Sequence, residues 1–233
     1  MSKKIEMVVF DMAGTTVQDN SEVEKCFFEA INNSGLKASH AEINAMMGWS
    51  KIKVFETLWQ KQLKNESESI INQQIEKTYL NFKTILENHY LTNPVFPTVG
   101  AMEVFEFLKS KNIKIALTTG FYRQVTDIIL QRLGWYKNSE IIDCSIASDE
   151  VAAGRPAPFM VFKAMELCGV SDVRTVIKIG DTPSDLGEGK NAGCKYTYGI
   201  TNGTHSYEQL NVFEHDGLFT DMYAFKAFLE GIL

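Results

Sequence analysis

No apolar run in this chain is long enough to cross a bilayer, so neither a membrane span nor a membrane partner is expected. Residues 1–5 lead straight into a first strand and leave no room for a signal peptide, which makes the expected location cytoplasmic. There are only four cysteines, Cys26, Cys144, Cys168 and Cys194. They lie far apart without metal-type spacing, so they are read as reduced and mostly buried, which excludes a disulfide scaffold. The four histidines, His40, His89, His205 and His215, show no ligand spacing either and are expected on the surface or in loops. Lys and Arg total 23 against 29 Asp and Glu, for a net charge of -6 without basic clusters. That argues against a nucleic-acid partner but leaves room for a small anionic ligand in a local positive site. Five prolines, no low-complexity block and no internal repeat exclude a disordered chain or a repeat array.

What the chain does contain is a sizeable apolar fraction, 45% of 233 residues, enough for a large core. Its first organised stretch is Met7-Val8-Val9-Phe10-Asp11, a β-forming run that stops at a carboxylate, followed by the turn-forming Met12-Ala13-Gly14-Thr15-Thr16. Residues 20–90 carry no convincing strand. Their apolar positions recur at helical spacing: Val23, Cys26, Phe27, Ala30 and Ile31 in one helix, and Ile52, Phe55, Leu58 and Trp59 in a helix capped by Ser50. A long helix is expected over 66–89. Beyond Thr98 helices alternate with short apolar strands at 113–118, 141–146, 173–179 and 194–199, with a weak strand at 218–219 and a terminal helix from Met222. The expected architecture is α/β, a Rossmann-like parallel sheet core formed by 1–17 and 91–233, with an α-helical cap domain at 18–90 inserted after the first strand.

Several strand ends carry polar chemistry on what should be one edge of that sheet: Asp11, Thr119, the Gly154-Arg155-Pro156 loop, and Asp181 with Asp185. Neighbouring carboxylates repel unless a cation lies between them, and oxygen-only donors favour magnesium. Thr119, at a helix start, suits a phosphoryl oxygen, and the forked donors of Arg155 suit its spread charge.

The order Asp-x-x-Gly-Thr-Thr, apolar strand with Thr-Thr-Gly, Gly-Arg-Pro and Gly-Asp-Thr-x-x-Asp resembles the haloacid dehalogenase superfamily along essentially the whole chain. The resemblance implies that Asp11 attacks phosphorus, that Mg2+ is held by Asp11, the Ala13 carbonyl and Asp181, and that Asp185 and Thr15 stand one shell behind. Common members carry a second aspartate two residues after the nucleophile as general acid, where this chain has Ala13. Alanine there, together with arginine before the proline, resembles the phosphonoacetaldehyde hydrolase and phosphonatase-like branch. That branch implies a cap lysine, matched by Lys51, which forms a Schiff base so that carbon can leave phosphorus. It also implies Arg155 and Thr119 as catalytic partners and Ala13, Met47, Gly120 and Phe121 around the substrate. Members acting on phosphonoacetaldehyde have a histidine, a tyrosine and a cysteine where Val54, Phe121 and Ser21 stand here. The expected activity is therefore carbon–phosphorus cleavage of phosphonoacetaldehyde or a related 2-oxoalkylphosphonate. The alternatives are a magnesium-dependent phosphatase of a small ester such as phosphoglycolate, or a catalytically silent phosphoryl-ligand-binding protein. Tyr122 and Arg123 are read as helix-surface residues. The resemblance also carries a homodimer, through an exposed apolar face of the first cap helix.

Overall fold

The computed structural model describes residues 4–136 and 140–233; the expectation for the first three residues lies outside them. Six parallel strands form one sheet, β1 (Met7–Asp11), β2 (Lys114–Thr119), β3 (Cys144–Ala147), β4 (Val176–Gly180), β5 (Tyr196–Ile200) and β6 (Gly217–Phe219), in the order β3-β2-β1-β4-β5-β6. The fold is the expected Rossmann-like α/β sheet. β1 is the point from which the chain winds outward in both directions, pairing with β2 on one side and β4 on the other. Ligands of open parallel sheets bind at such a switch point, beyond the carboxyl ends of the strands, and Asp11 is the last residue of β1.

All five β1 residues are buried, as a central parallel strand requires. Val8 and Phe10 face one layer, where Phe10 meets Phe105 and Phe225 edge-on at ring-centroid distances of 5.3 and 6.2 Å. Met7 and Val9 face the other, with Met160, Val161 and Ala164. The helices of these layers are α5 (Ala101–Ser110), α6 (Arg123–Leu133), α7 (Phe159–Cys168), α8 (Pro183–Ala192), the short α9 (Tyr207–Leu210) and α10 (Met222–Ile232).

Between β1 and α5 lie α1 (Glu22–Ser34), α2 (His40–Ala45), α3 (Lys51–Gln62) and α4 (Glu68–Thr92). Phe27, Phe55 and Phe82 from α1, α3 and α4 meet at centroid distances of 4.5 to 5.4 Å and form the centre of this helical layer. Trp59 donates its indole N–H to Thr78 at 3.0 Å, so even the polar edge of that centre is satisfied.

Local readings shift in several places. The third strand begins at Cys144 rather than 141, because Asp143 is held by Lys109, Lys114 and the Ile115 N–H. Residues Val173–Thr175 form a 3-10 turn capped by Asp172, so β4 starts at Val176. α9 escaped the periodicity reading; its capping box of Ser206 and Gln209 was the local signal for it. Ile52 is 38% exposed, whereas Lys51 is buried with Val54, Phe55, Leu58 and Trp59. The apolar stripe of α1 is buried within the helical layer, and Phe28 beside it is partly exposed. No described helix is long and apolar enough to cross a membrane.

Candidate active site

The loop after β1 turns sharply because the Met12 carbonyl accepts from the N–H groups of Thr15, Thr16 and Val17. Thr16 braces the strand end by donating its hydroxyl to the Asp11 carbonyl at 2.8 Å. Thr15 instead donates to Asp181 Oδ1 at 3.0 Å, tying the first loop to the one that follows β4. The Thr204 N–H donates to Asp181 Oδ2 at 2.7 Å, which fixes both oxygens of that carboxylate.

Asp11, Asp181 and Asp185 are buried, with one oxygen from each lying within 4.8 Å of the others. Two cations answer part of this charge. Arg155 donates through Nη1 to Asp11, lies 3.0 Å from Asp185 through the same nitrogen, and gives its Nε to Glu188 at 2.9 Å. Lys178, the lone charge inside the apolar run of β4, reaches Asp185 at 2.8 Å and Glu188 at 3.2 Å. Burial works against the carboxylate form of Asp185, but Arg155 and Lys178 outweigh it and hold that group below its usual range. Asp11 and Asp181 are less fully compensated. Burial lifts Asp11 to about 7 against the pull of Arg155, with Asp185 and Asp181 adding to the rise; burial and then Asp185 lift Asp181 to about 6. An all-oxygen donor set with unneutralised charge fits a hard divalent cation.

Lys51 is brought over this cluster by the start of α3 and is 5% exposed. Burial pulls its ammonium down to about 8, opposed by Asp11 and Asp19. Its Nζ stands 5.1 Å from the Phe121 ring centroid and 5.6 Å from that of Phe27. Asp11, Ala13, Asp19, Met47, Gly48, Lys51, Thr119, Gly120 and Phe121 share one cavity with Val23, Thr182 and Thr204. Its free volume is about 20 Å³, enough for a group the size of a water molecule. The helical layer therefore lies close over Asp11, leaving less room than a small phosphonate fills.

Backbone closeness makes this closure possible. A Cβ on Gly120 would stand 2.4 Å from the Trp49 carbonyl oxygen, and one on Gly48 would meet the Thr182 hydroxyl at the same distance. Ser184 also donates its hydroxyl to the Met47 carbonyl at 3.2 Å. Gly120→Ala is expected to push the Gly48–Trp49 backbone off the sheet, lowering both the melting temperature and, by about tenfold or more, kcat/KM, since groups a single ångström out of place cost at least that much. A steady-state comparison with the wild type checks it; unchanged kcat/KM would show that tight closure is unnecessary.

The structure thus brings together every site residue expected from sequence, Asp11, Ala13, Met47, Lys51, Thr119, Gly120 and Phe121 in the cavity wall and Thr15, Arg155, Asp181 and Asp185 around the acidic cluster. It adds Asp19, Lys178, Glu188, Thr182 and Thr204. Lys178 was legible: one charge inside Val176-Ile177-Lys178-Ile179 must be paired. Two expectations change, and a third gains a detail. His205 lies in a loop, the one after β5, as expected, but is buried there, and burial holds its pKa down. Tyr122 is buried and donates its hydroxyl to Glu87 of α4 at 2.8 Å, and Arg123 pairs with Asp127 and Glu150, so neither is a free helix-surface residue. Of the cysteines only Cys26 is buried, and the sulfurs of Cys144 and Cys168, remote in sequence, approach to 3.2 Å.

A parallel sheet carrying a carboxylate cluster at its switch point, closed over by a helical layer, is an α/β fold with a candidate active site beyond its strand ends. The model of the haloacid dehalogenase-like hydrolases matches residues 5–193, and the chain belongs to that family. A protein of Bacillus cereus (strain AH187) named phosphonoacetaldehyde hydrolase is 36% identical over 214 residues, covering 86% of this chain and 77% of that one. A phosphonoacetaldehyde hydrolase like protein from Oleispira antarctica superposes with a TM-score of 0.82 at 19% identity, over 99% of this chain and 93% of the other. A hydrolase from Pseudomonas syringae gives a TM-score of 0.80 at 18% identity, over 97% and 99% respectively.

Proposed function

We propose that this hydrolase cleaves the carbon–phosphorus bond of phosphonoacetaldehyde or a related 2-oxoalkylphosphonate. The observation that carries this reading is a buried lysine amine, Lys51, sharing one small cavity with Asp11, while position 13 offers no carboxyl to protonate an ester oxygen. Residues 18–90 act as the cap and residues 1–17 and 91–233 as the catalytic core. Lys51, with its pKa drawn toward neutrality, adds to the substrate carbonyl, and loss of water gives an iminium. An oxygen of Asp11 then takes phosphorus, and the carbon–phosphorus pair moves into the enamine; solvent protonates the carbon, and water hydrolyses the aspartyl phosphate and the product iminium, freeing Asp11 and Lys51. Arg155 orients Asp11 and balances the phosphoryl charge, and Thr119 faces a phosphoryl oxygen. Met47, Gly120 and Phe121 shape the substrate pocket beside Ala13.

Asp11, the Ala13 carbonyl and Asp181 are the proposed holders of Mg2+, with Thr15 and Asp185 behind them. Bound there, the ion supplies Lewis-acid neutralisation of the phosphoryl oxygens and of the two carboxylates. Because the Asp11 and Asp181 carboxyls titrate high, the metal-free fold loses stability as pH rises through about 4 to 7, and the cation reverses that loss. Mg2+ is expected to raise the melting temperature more at pH 8 than at pH 5. Equal shifts at both values in a thermal scan would contradict the assignment.

Borohydride trapping tests the central claim. Incubation with phosphonoacetaldehyde and borohydride is expected to leave a covalent adduct on Lys51, identified by peptide mass spectrometry, and none in Lys51→Arg. The altered positions Ser21, Val54 and Phe121 favour a second reading, hydrolysis of a small phosphate ester. Phosphate-ester turnover that survives Lys51→Arg, with no adduct in the wild type, would select it.

A further inference from the structure

Among the twelve residues lining the closed cavity, three titrate: Asp11, Lys51 and Asp19. Asp11 is committed to phosphorus and Lys51 to the carbonyl carbon, yet the chemistry proposed above also moves protons at the carbonyl oxygen. The histidine, tyrosine and cysteine expected from the resemblance are replaced by Val54, Phe121 and Ser21, none of which transfers a proton readily, and position 13 is alanine.

Asp19 is placed to do this work by the turn before α1. Its Oδ1 accepts from the N–H groups of Glu22 at 2.7 Å and Val23 at 3.3 Å, which fixes the carboxyl at the cavity wall. Lys51 senses the Asp19 charge next after that of Asp11. Burial, and then a side-chain hydrogen bond with Glu22, lift the Asp19 carboxyl well above the usual range; Glu22 is held below its own by that same bond, though burial pulls the other way. Of the two carboxyls, Asp19 is therefore the one that holds a proton more readily. A second observation marks this end of the site as polar. The buried hydroxyl of Tyr90 has no hydrogen-bond partner among the described residues, and its ring packs edge-on against Phe121 at 5.8 Å.

We infer that Asp19 is a catalytic acid and base of the Lys51 chemistry, donating the proton that releases water from the carbinolamine and taking one back when water adds to the product iminium. The inference rests on the carbon–phosphorus cleavage reading. In the first step the Asp19 proton passes to the carbinolamine hydroxyl, the carbon–oxygen bond breaks with loss of water, and the nitrogen lone pair forms the iminium, leaving Asp19 as a carboxylate. In the last, water adds to the product iminium carbon, its proton goes to Asp19, and the resulting carbinolamine collapses to aldehyde and free Lys51.

Asp19→Asn is the direct test, because asparagine keeps an oxygen acceptor for the Glu22 and Val23 N–H groups while losing the titrating proton. With phosphonoacetaldehyde, Mg2+ and the full chain, the rate of borohydride-trapped adduct formation at Lys51 and the rate of phosphate release are both expected to fall about 10²- to 10⁴-fold. Asp19→Glu, which retains a carboxyl, is expected to recover at least about tenfold over Asp19→Asn, within the range ascribed to a positioned acid. A wild type that forms no adduct removes the Schiff-base reading and this inference with it. A wild type that forms the adduct, beside an Asp19→Asn variant that traps and turns over at the same rate, overturns the role of Asp19 alone. So does Asp19→Glu performing no better than Asp19→Asn.

Discussion

Asp11→Asn is expected to stop phosphate release, with a loss on the order of 10⁴-fold or more, as removal of a covalent nucleophile does elsewhere. The substitution keeps the size of the side chain and its carbonyl acceptor. Arg155 retains Asp185 at 3.0 Å and Glu188 at 2.9 Å, so the buried cation is not left alone and the fold should persist. The variant also separates two halves of the reaction. Lys51 still condenses with the aldehyde, but nothing accepts phosphorus, so the adduct trapped by borohydride should retain the phosphonate group. Wild-type enzyme, in contrast, should yield a mixture in which the phosphorus-free adduct is present. Mass spectrometry of the Lys51 peptide distinguishes them, and a phosphorus-free adduct from Asp11→Asn would mean that another group attacks phosphorus.

Lys51→Met should abolish the adduct and carbon–phosphorus cleavage together while making the protein more stable at neutral pH. The sign follows from the amine's titration. Its pKa drops from 10.5 to about 8 on folding, so between those values the unfolded chain binds the extra proton and stability rises with pH. Below pH 8 the full cost of holding a charged amine in a closed cavity is present, about 3 kcal/mol at most for a shift of this size. Methionine has nearly the same reach and no charge. The melting temperature of Lys51→Met is therefore expected to exceed that of the wild type by several degrees at pH 7, and the gap should narrow as pH approaches 10.5. A variant less stable than wild type at pH 7 would show that the ammonium is a structural partner of the acidic cluster rather than a strained functional group.

Lys51 also shows why one part of the site was harder to read than another. Positions 51, 54, 55, 58 and 59 fall at the i, i+3, i+4, i+7, i+8 spacing of a helix stripe, and all five are buried. Reading the stripe from apolar residues alone put Ile52 inward and left Lys51 to the family resemblance. Asp19 had no such signal, because it precedes α1 in a turn and owes its place to two backbone N–H groups. The burial of His205 and Tyr122 was illegible for a related reason: loop and helix-start positions have no period, and their burial comes from elements distant in sequence.

The alternation of helices and strands, the acids and hydroxyls that terminate those strands, and the absence of a carboxyl at Ala13 are legible along the chain, since each depends on residue type and local order. Which charges meet depends on how the strands pair. Asp11 meets the distant pair Asp181 and Asp185 because β1 and β4 are adjacent strands; Lys178 joins them from β4 and Arg155 from the loop before α7. Closure of the helical layer, made possible by backbone contact at Gly48 and Gly120, then buries Lys51 beside Asp11 and brings the partly buried Asp19 to the same cavity wall. The shifted acidity of all three follows from that burial, a property of the assembled cavity that no stretch of chain possesses alone.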